Sequence, residues 1–398
     1  MSTPLTSDHT LFNDCINAFR SPPDEDSSLH QASTYSILMT PFELTKQWTL
    51  PNCTVHPSIK AALPGPYTAF ISKVDNPHCC DTRTPHLFGI ALASIVTFVT
   101  GRPCKSPRDG YHCFGDFNEN IARSASEMAM AYPVLTSGPG ATSSKLPETL
   151  LQNYHTEIEI IISHLLTIPY KSYIMAMQAI RLTHLSLCNK REDYGLAYLL
   201  IVSAIETIAQ IAIPKKEFTT KHNDQHTWEI LAQENPAIEK LLSSFEAGQK
   251  NNNYIKQRYV KFVMDFAPPS TWMRLVRHQH QDLVDTILST APNHPLSYIL
   301  EKSTYEVYPS DLDENSITKI ISDSYKYRSN LAHQGQQPPH RASLQFYRFF
   351  EPQTRYENKE IIQTQLMTYE LLVGIAKSSI SNWLSSLEVK PLSKRKPK

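Results

Sequence analysis

The chain has 398 residues, of which 41% are hydrophobic and 19% charged, as in a globular protein long enough for two domains of ordinary size. Lysine plus arginine and aspartate plus glutamate number 38 each, so the net charge provides no general attraction to nucleic acid and any such site must be local. The N-terminus lacks a basic stretch followed by an apolar run, which predicts a cytoplasmic protein without a secretory signal.

The first 140 residues are predicted to form a mixed α/β domain. Short runs at residues 34–39 and 67–71 have the composition of strands, and the apolar spacing at residues 87–99 and 118–131 favours helices. We expect this domain to sense or position a ligand or partner, by analogy alone.

A segment rich in serine, glycine and proline, residues 136–147, marks the predicted domain boundary. From residue 150 to 390 apolar residues recur every three or four positions, which predicts an all-helical second domain and an α+β fold overall. After a first helix near residues 150–165, the predicted helices are residues 170–187, 194–212, 254–266, 272–288, 315–333 and 358–387. The basic tail, residues 391–398, favours a disordered end over an RNA contact.

Membrane, cofactor and metal sites are not predicted. The longest apolar run, residues 196–213, contains Glu206 and Gln210, which favours a buried helix over a membrane span. No phosphate-binding loop, dinucleotide fingerprint or zinc-protease motif is present, so no cofactor is expected. Seven irregularly spaced cysteines indicate reduced thiols, and the His and Cys residues between 78 and 113 lack the CxxC spacing of a zinc site.

The segment most informative about function is Tyr325-Lys326-Tyr327-Arg328-Ser329-Asn330-Leu331-Ala332-His333-Gln334-Gly335. It ends a predicted helix that begins after a run of capping residues, 310–313, and stops near Gly335. Arginine binds phosphate with two parallel hydrogen bonds, and histidine exchanges protons near neutral pH. The pair Arg328 and His333 therefore points to chemistry on a phosphodiester. Because they are a turn and a half apart, they converge only if the helix end bends or a second chain completes the site.

The chain resembles the HEPN domains, and more narrowly the Apea-like HEPN group of prokaryotic defence proteins. Arg328 and His333 match the family's arginine followed by a histidine after four to six residues at a helix end. The apolar segment 198–206, which ends in Glu206, and the segment 254–263 resemble the upstream helices of these domains, and residues 87–103 resemble a segment N-terminal to them. In many active members Asn, Asp or His directly follows the arginine, whereas here Ser329 does and Asn330 comes next.

The resemblance implies a metal-independent endoribonuclease in anti-phage defence or abortive infection, built as a homodimer with a shared Arg/His site. Arg328 and His333 would be catalytic, with support from Glu206, Tyr327, Ser329 and Asn330. RNA, with tRNA among the candidate substrates, would be the partner, and a phage-derived trigger or a neutralising protein would regulate it. Further candidate RNA contacts are Arg274, Arg277, Tyr325 and Lys326.

Several of these residues also have a purely structural interpretation. Arg328 would pair with Glu206, a buried carboxylate that needs a partner, and His333 would cap its helix. Arg274 and Arg277 would lie on a solvated helix face, and Tyr325 would pack in a core or dimer interface. The alternative function is then a catalytically inactive HEPN module that binds RNA, a nucleotide or a partner protein.

Overall fold

A computed structural model describes most of the chain. The described residues are 8–20, 34–61, 69–77, 84–134, 145–218, 222–276, 307–336, 347–357 and 360–387. The helices are α1 (Asp8–Phe19), α2 (Pro85–Thr100), α3 (Phe117–Ala131), α4 (Glu148–Thr167), α5 (Tyr170–Asn189), α6 (Tyr194–Ala212), α7 (Gln225–Glu234), α8 (Pro236–Asn251), α9 (Ile255–Phe266), α10 (Glu314–Gln334) and α11 (Tyr369–Ser386). The strands are β1 (Ser36–Thr40), β2 (Trp48–Thr49), β3 (Thr54–Val55), β4 (Ile59–Ala61), β5 (Ala69–Asp75), β6 (Phe350–Glu357) and β7 (Glu360–Met367). The predicted α+β fold is confirmed.

The first sheet is antiparallel and has the path β1-β5-β3-β2, with β4 also paired to β5. Successive side chains of a strand point to opposite faces. Ile37 and Met39 of β1 therefore join a small core with α3, while Leu38 joins the large core with α2. The sheet is thus a layer covered by helices on both faces.

Helix α2 is the centre of the fold, because all 16 of its residues are buried. It contacts α1, α4 and α5 as well as β1. One apolar cluster runs from α1 through α2 to α11, so residues on both sides of the predicted boundary share a core. The boundary segment itself, residues 135–144, lies outside the described residues.

Helix α6 is the one helix, in the described parts of the chain, that is long and apolar enough to cross a membrane by length and composition. It packs against α5, α9, α10 and α11, and Glu206 lies on it. These contacts make α6 a core helix, as Glu206 and Gln210 in its apolar sequence predicted.

The expectation of an all-helical second domain is wrong in one place. Residues 360–367, predicted as the start of a helix, form β7, which pairs with β6 in an antiparallel hairpin. β7 packs against α10, and the backbone N–H of Met367 donates to Ser324 Oγ at 3.4 Å. Residues 269–274 form a 3₁₀ helix at the predicted start of helix 272–288, and the rest of that helix from residue 277 lies outside the described residues.

Candidate functional site

Helix α10 positions the Arg328 and His333 motif. It starts at Asp313, whose carboxylate accepts a hydrogen bond from the backbone N–H of Ser316 at 2.7 Å. It stops at Gly335, which has φ of 66°, a left-handed conformation that glycine adopts without strain. The predicted helix boundaries are therefore confirmed, and the helix runs unbroken through both motif residues.

Arg328 forms an ion pair with Glu206 on α6. Its Nη2 lies 3.2 Å from Glu206 Oε2, and its Nε donates to Ser203 Oγ at 3.3 Å. The Glu206 side chain is 9% exposed and that of Arg328 is 21% exposed, so the guanidinium reaches from the buried carboxylate toward solvent. The predicted pairing of these two residues is confirmed.

Glu206 is held by more than Arg328. Gln210, one helical turn later on α6, donates to Glu206 Oε1 at 3.0 Å. Burial raises the pKa of Glu206 above its ordinary value, while Arg328 and the hydrogen bonds from Gln210 and Tyr325 act to lower that pKa. The carboxylate is therefore costly to bury and depends on its donors.

Sequence reasoning missed Ser203 and Gln210. The signal was present, because residues three before and four after Glu206 lie on the same face of a helix. Polar residues at those positions, in an otherwise apolar helix, indicate a shared polar cluster.

The two tyrosines of the motif pack inside the protein. Tyr325 is half-buried, with its ring 5.3 Å from the ring of Tyr259 and 6.0 Å from the guanidinium carbon of Arg328. Burial, followed by the nearby Glu206, raises the pKa of Tyr325. Tyr327 is buried at 7% exposure. Tyr325 thus lies against the guanidinium, as the packing interpretation expected.

His333 lies in a different environment from Arg328. It is exposed in the last turn of α10 and has no hydrogen bond or ion pair with the residues that the structure describes. Five residues of α-helix separate the two side chains by roughly 140° around the axis and roughly 7.5 Å along it. Because α10 is continuous, one chain does not bring Arg328 and His333 face to face.

Of the remaining candidate residues, three lie on α10 and the others do not. Ser329 and Asn330 are half-buried on α10, and Lys326 is exposed. Arg274 is exposed at the end of the 3₁₀ helix Pro269–Arg274, on a different segment from the motif. Arg277 and the basic tail lie outside the described residues.

Metal ligands do not gather at any point of the described ranges, where no three His, Cys, Asp or Glu residues form a group that could hold an ion. Cys104 and Cys113 are buried thiols, whereas residues 78–80 lie outside those ranges. Burial raises the pKa of Cys104, which disfavours the thiolate that zinc requires.

No family model matches the chain, and neither a curated protein nor a solved structure matches it.

Proposed function

We propose that this chain is a metal-independent endoribonuclease of the HEPN type that acts as a cytoplasmic homodimer. The observation that carries the proposal is a partly buried arginine, ion-paired with a buried carboxylate, on the same helix end as an exposed histidine. An arginine on a phosphate and a histidine on the adjacent hydroxyl can supply the charge stabilisation and the proton transfer of RNA cleavage without a metal.

Arg328 is oriented for phosphate binding. Guanidinium has five N–H donors, of which Nε donates to Ser203 and Nη2 faces Glu206. The remaining N–H groups of the guanidinium can donate to two phosphate oxygens and stabilise the negative charge that develops on them in the transition state. Glu206 and Ser203 keep the side chain in one orientation, which lowers the entropic cost of binding.

His333 acts on the proton of the ribose. Its imidazole removes the proton of the 2′-hydroxyl, whose oxygen attacks phosphorus while the bond from phosphorus to the 5′-oxygen breaks. The leaving 5′-oxygen takes a proton from a protonated imidazole, and the product carries a 2′,3′-cyclic phosphate. Two copies of the α10 end supply both imidazoles, which is why the separation of Arg328 and His333 within one chain favours a dimer.

A second candidate function has its own support. Glu206 already neutralises much of the charge of Arg328, and an arginine engaged in an ion pair stabilises the extra negative charge of a transition state less than one without. This favours a catalytically inactive module that binds RNA, a nucleotide or a partner protein through the same surface.

Incubation of the purified protein with RNA in EDTA distinguishes the two functions. The nuclease yields fragments with 2′,3′-cyclic phosphate ends, leaves a substrate with 2′-deoxy sugars intact, and loses activity in Arg328→Ala and His333→Ala. RNA that is bound but never cut identifies the binding module. Cleavage that survives both substitutions excludes this site as the nuclease centre. Sedimentation of the wild type tests the dimer in the same preparation.

In a bacterial cell, an active enzyme of this kind would arrest growth in a manner dependent on Arg328 and His333. We propose defence against phage as its setting, with a phage-derived trigger or a neutralising protein as regulator and tRNA among the substrates. Growth curves of cells that express the wild type or His333→Ala test this setting.

A further inference from the structure

A cavity of about 400 Å³ lies where α1, α2 and α5 meet the segment that follows α2. Three cationic side chains line it: Lys105, Arg108 and Arg181. Among the described lining residues the one carboxylate is that of Glu192, which is exposed. Cations therefore outnumber carboxylates among those residues.

Arg181 is the most unusual of these residues. It is only 8% exposed, and its Nη1 donates to Ser94 Oγ at 3.2 Å. Its Nε has no hydrogen-bond partner, and no carboxylate of the described residues forms an ion pair with it. A buried cation without an anion is costly, and burial accordingly lowers the pKa of Arg181.

Ser106 is a second buried polar group without a partner. It is 6% exposed, its Oγ makes no hydrogen bond, and it lines the same cavity as Arg181. A buried hydroxyl with no partner loses the hydrogen bonds that it would make in water. Both unsatisfied groups therefore belong to residues that line the same cavity.

The pKa of His184 is affected by its burial and by the positive charges around the cavity. Its Nδ1 lies 3.0 Å from Thr97 Oγ1, and it is 5% exposed. Burial first, and then the charges of Arg181 and Lys105, hold the pKa of His184 well below its ordinary value. The imidazole is neutral at physiological pH, so it adds no positive charge, and its Nε2 lies 3.7 Å from Cys188 Sγ.

Apart from Cys188 and Asn189, the rest of the described lining is apolar or aromatic. Leu11 and Phe12 come from α1, Ile90 from α2, Leu185 from α5, and Tyr132 follows α3. Sites for small molecules combine such walls with a few polar groups, and their volumes start at roughly 300 Å³.

We propose that this cavity binds a small phosphate monoester with a compact apolar or aromatic body. Arg181 and Ser106 hold the phosphate oxygens, Lys105 adds a second positive charge, and the apolar wall holds the body. A phosphate monoester near neutral pH carries roughly two negative charges, which match the positive charges of Arg181 and Lys105, whereas a carboxylate carries one.

Isothermal titration calorimetry with phenyl phosphate, inorganic phosphate and benzoate tests the proposal on the full chain. We expect one site per chain, with phenyl phosphate binding more tightly than phosphate and benzoate most weakly. Absence of phenyl phosphate binding overturns the proposal. Binding of phosphate and phenyl phosphate with equal affinity overturns the role of the apolar wall.

Arg181→Met should weaken phenyl phosphate binding at least about tenfold, because it removes charge-assisted hydrogen bonds. Arg123→Met is the matched control, since Arg123 is an exposed arginine on α3 outside the cavity lining. Ser106→Ala should weaken binding less, and it keeps the test decisive if Arg181→Met does not fold. Phenyl phosphate binding that Arg328→Ala abolishes and Arg181→Met leaves unchanged would place the ligand at the candidate nuclease site and overturn the proposal. Unchanged affinity in both Arg181→Met and Ser106→Ala overturns the assignment.

Discussion

Arg328 and Arg181 are two arginines withdrawn from water in opposite circumstances. Arg328, 21% exposed, has the carboxylate of Glu206 at 3.2 Å and the hydroxyl of Ser203 at 3.3 Å. Arg181 is 8% exposed, and its one hydrogen-bond partner among the described residues is the hydroxyl of Ser94. The charge of Arg328 is balanced by Glu206 within the fold, whereas the charge of Arg181 is balanced only when an anion binds.

The difference shows which arginines a sequence motif can find. Arg328 lies five residues before a histidine at a helix end, a pattern visible in one stretch of sequence. Arg181 lies on an apolar helix, and its isolation appears only when α1, α2 and the segment after α2 close around it. The local motif therefore identified Arg328, which has an ion pair, but not Arg181, whose Nε has no hydrogen-bond partner.

The largest effect is expected on catalysis. Arg328→Ala should lower the rate of RNA cleavage roughly 10²–10³-fold, because it removes the donors that stabilise the transition-state charge. Arg328→Lys should restore only part of the rate, because an ammonium does not reproduce the planar fork. Single-turnover rates measure this effect. Full activity in Arg328→Lys would show that charge alone, and not the fork fixed by Ser203, is required.

The next effect is on stability. Arg328→Ala leaves the buried carboxylate of Glu206 without its counter-charge and should lower the free energy of unfolding by about 2 kcal/mol. This is below the ~3–5 kcal/mol of fully buried pairs, because Arg328 keeps access to water. Urea unfolding measures it, with Arg123→Ala as the exposed control. A loss no larger than that of the control would show that the pair does not stabilise the fold.

Arg181→Met should behave in the opposite way in the absence of ligand. Because it removes a buried cation that has no anion, we expect the free energy of unfolding to stay the same or to rise by up to about 2 kcal/mol. Urea unfolding in phosphate-free buffer measures this change. A loss as large as that of Arg328→Ala would mean that Arg181 is a structural residue, and the contrast between the two arginines would disappear.

The smallest effect is a pH dependence from Glu206. Burial raises its pKa in the folded protein, so the folded state binds the proton more tightly than the unfolded chain does. Relative to Glu206→Gln, the wild type should gain stability as the pH falls through the raised pKa of Glu206. The gain should level off below the ordinary pKa of glutamate. Thermal unfolding of both proteins across the acidic range measures this difference in stability. A wild type that loses stability relative to the variant as the pH falls would contradict the prediction.

Much of the fold near the site could be predicted from the sequence because its signals are local. Asp313 and Gly335 are residues that begin and end helices, and both do so in α10. Glu206 in an apolar helix required a buried partner, and Arg328 supplies it. These predictions depend on residues within one element or on a single pair.

The failures depend on contacts between distant elements. β7 was predicted as helix because its residues adjoin the apolar pattern of α11, while its pairing with β6 and its packing on α10 determine its conformation. Pro352 within β6 also argues against a strand in a sequence taken alone, yet a two-stranded hairpin has open edges. The cavity around Arg181 could not be predicted for the same reason, since five separate segments build it.

His333 provides the most direct test of the proposed nuclease, because it is exposed and makes no bond within the described chain, so its replacement should leave folding intact. The measurement is the rate of RNA cleavage in EDTA by His333→Ala, compared with His226→Ala, a matched control whose side chain is 85% exposed on α7. The proposal predicts a loss of roughly 10²–10⁴-fold in His333→Ala, with an unchanged melting temperature and full activity in the control. Equal cleavage by both variants would contradict it.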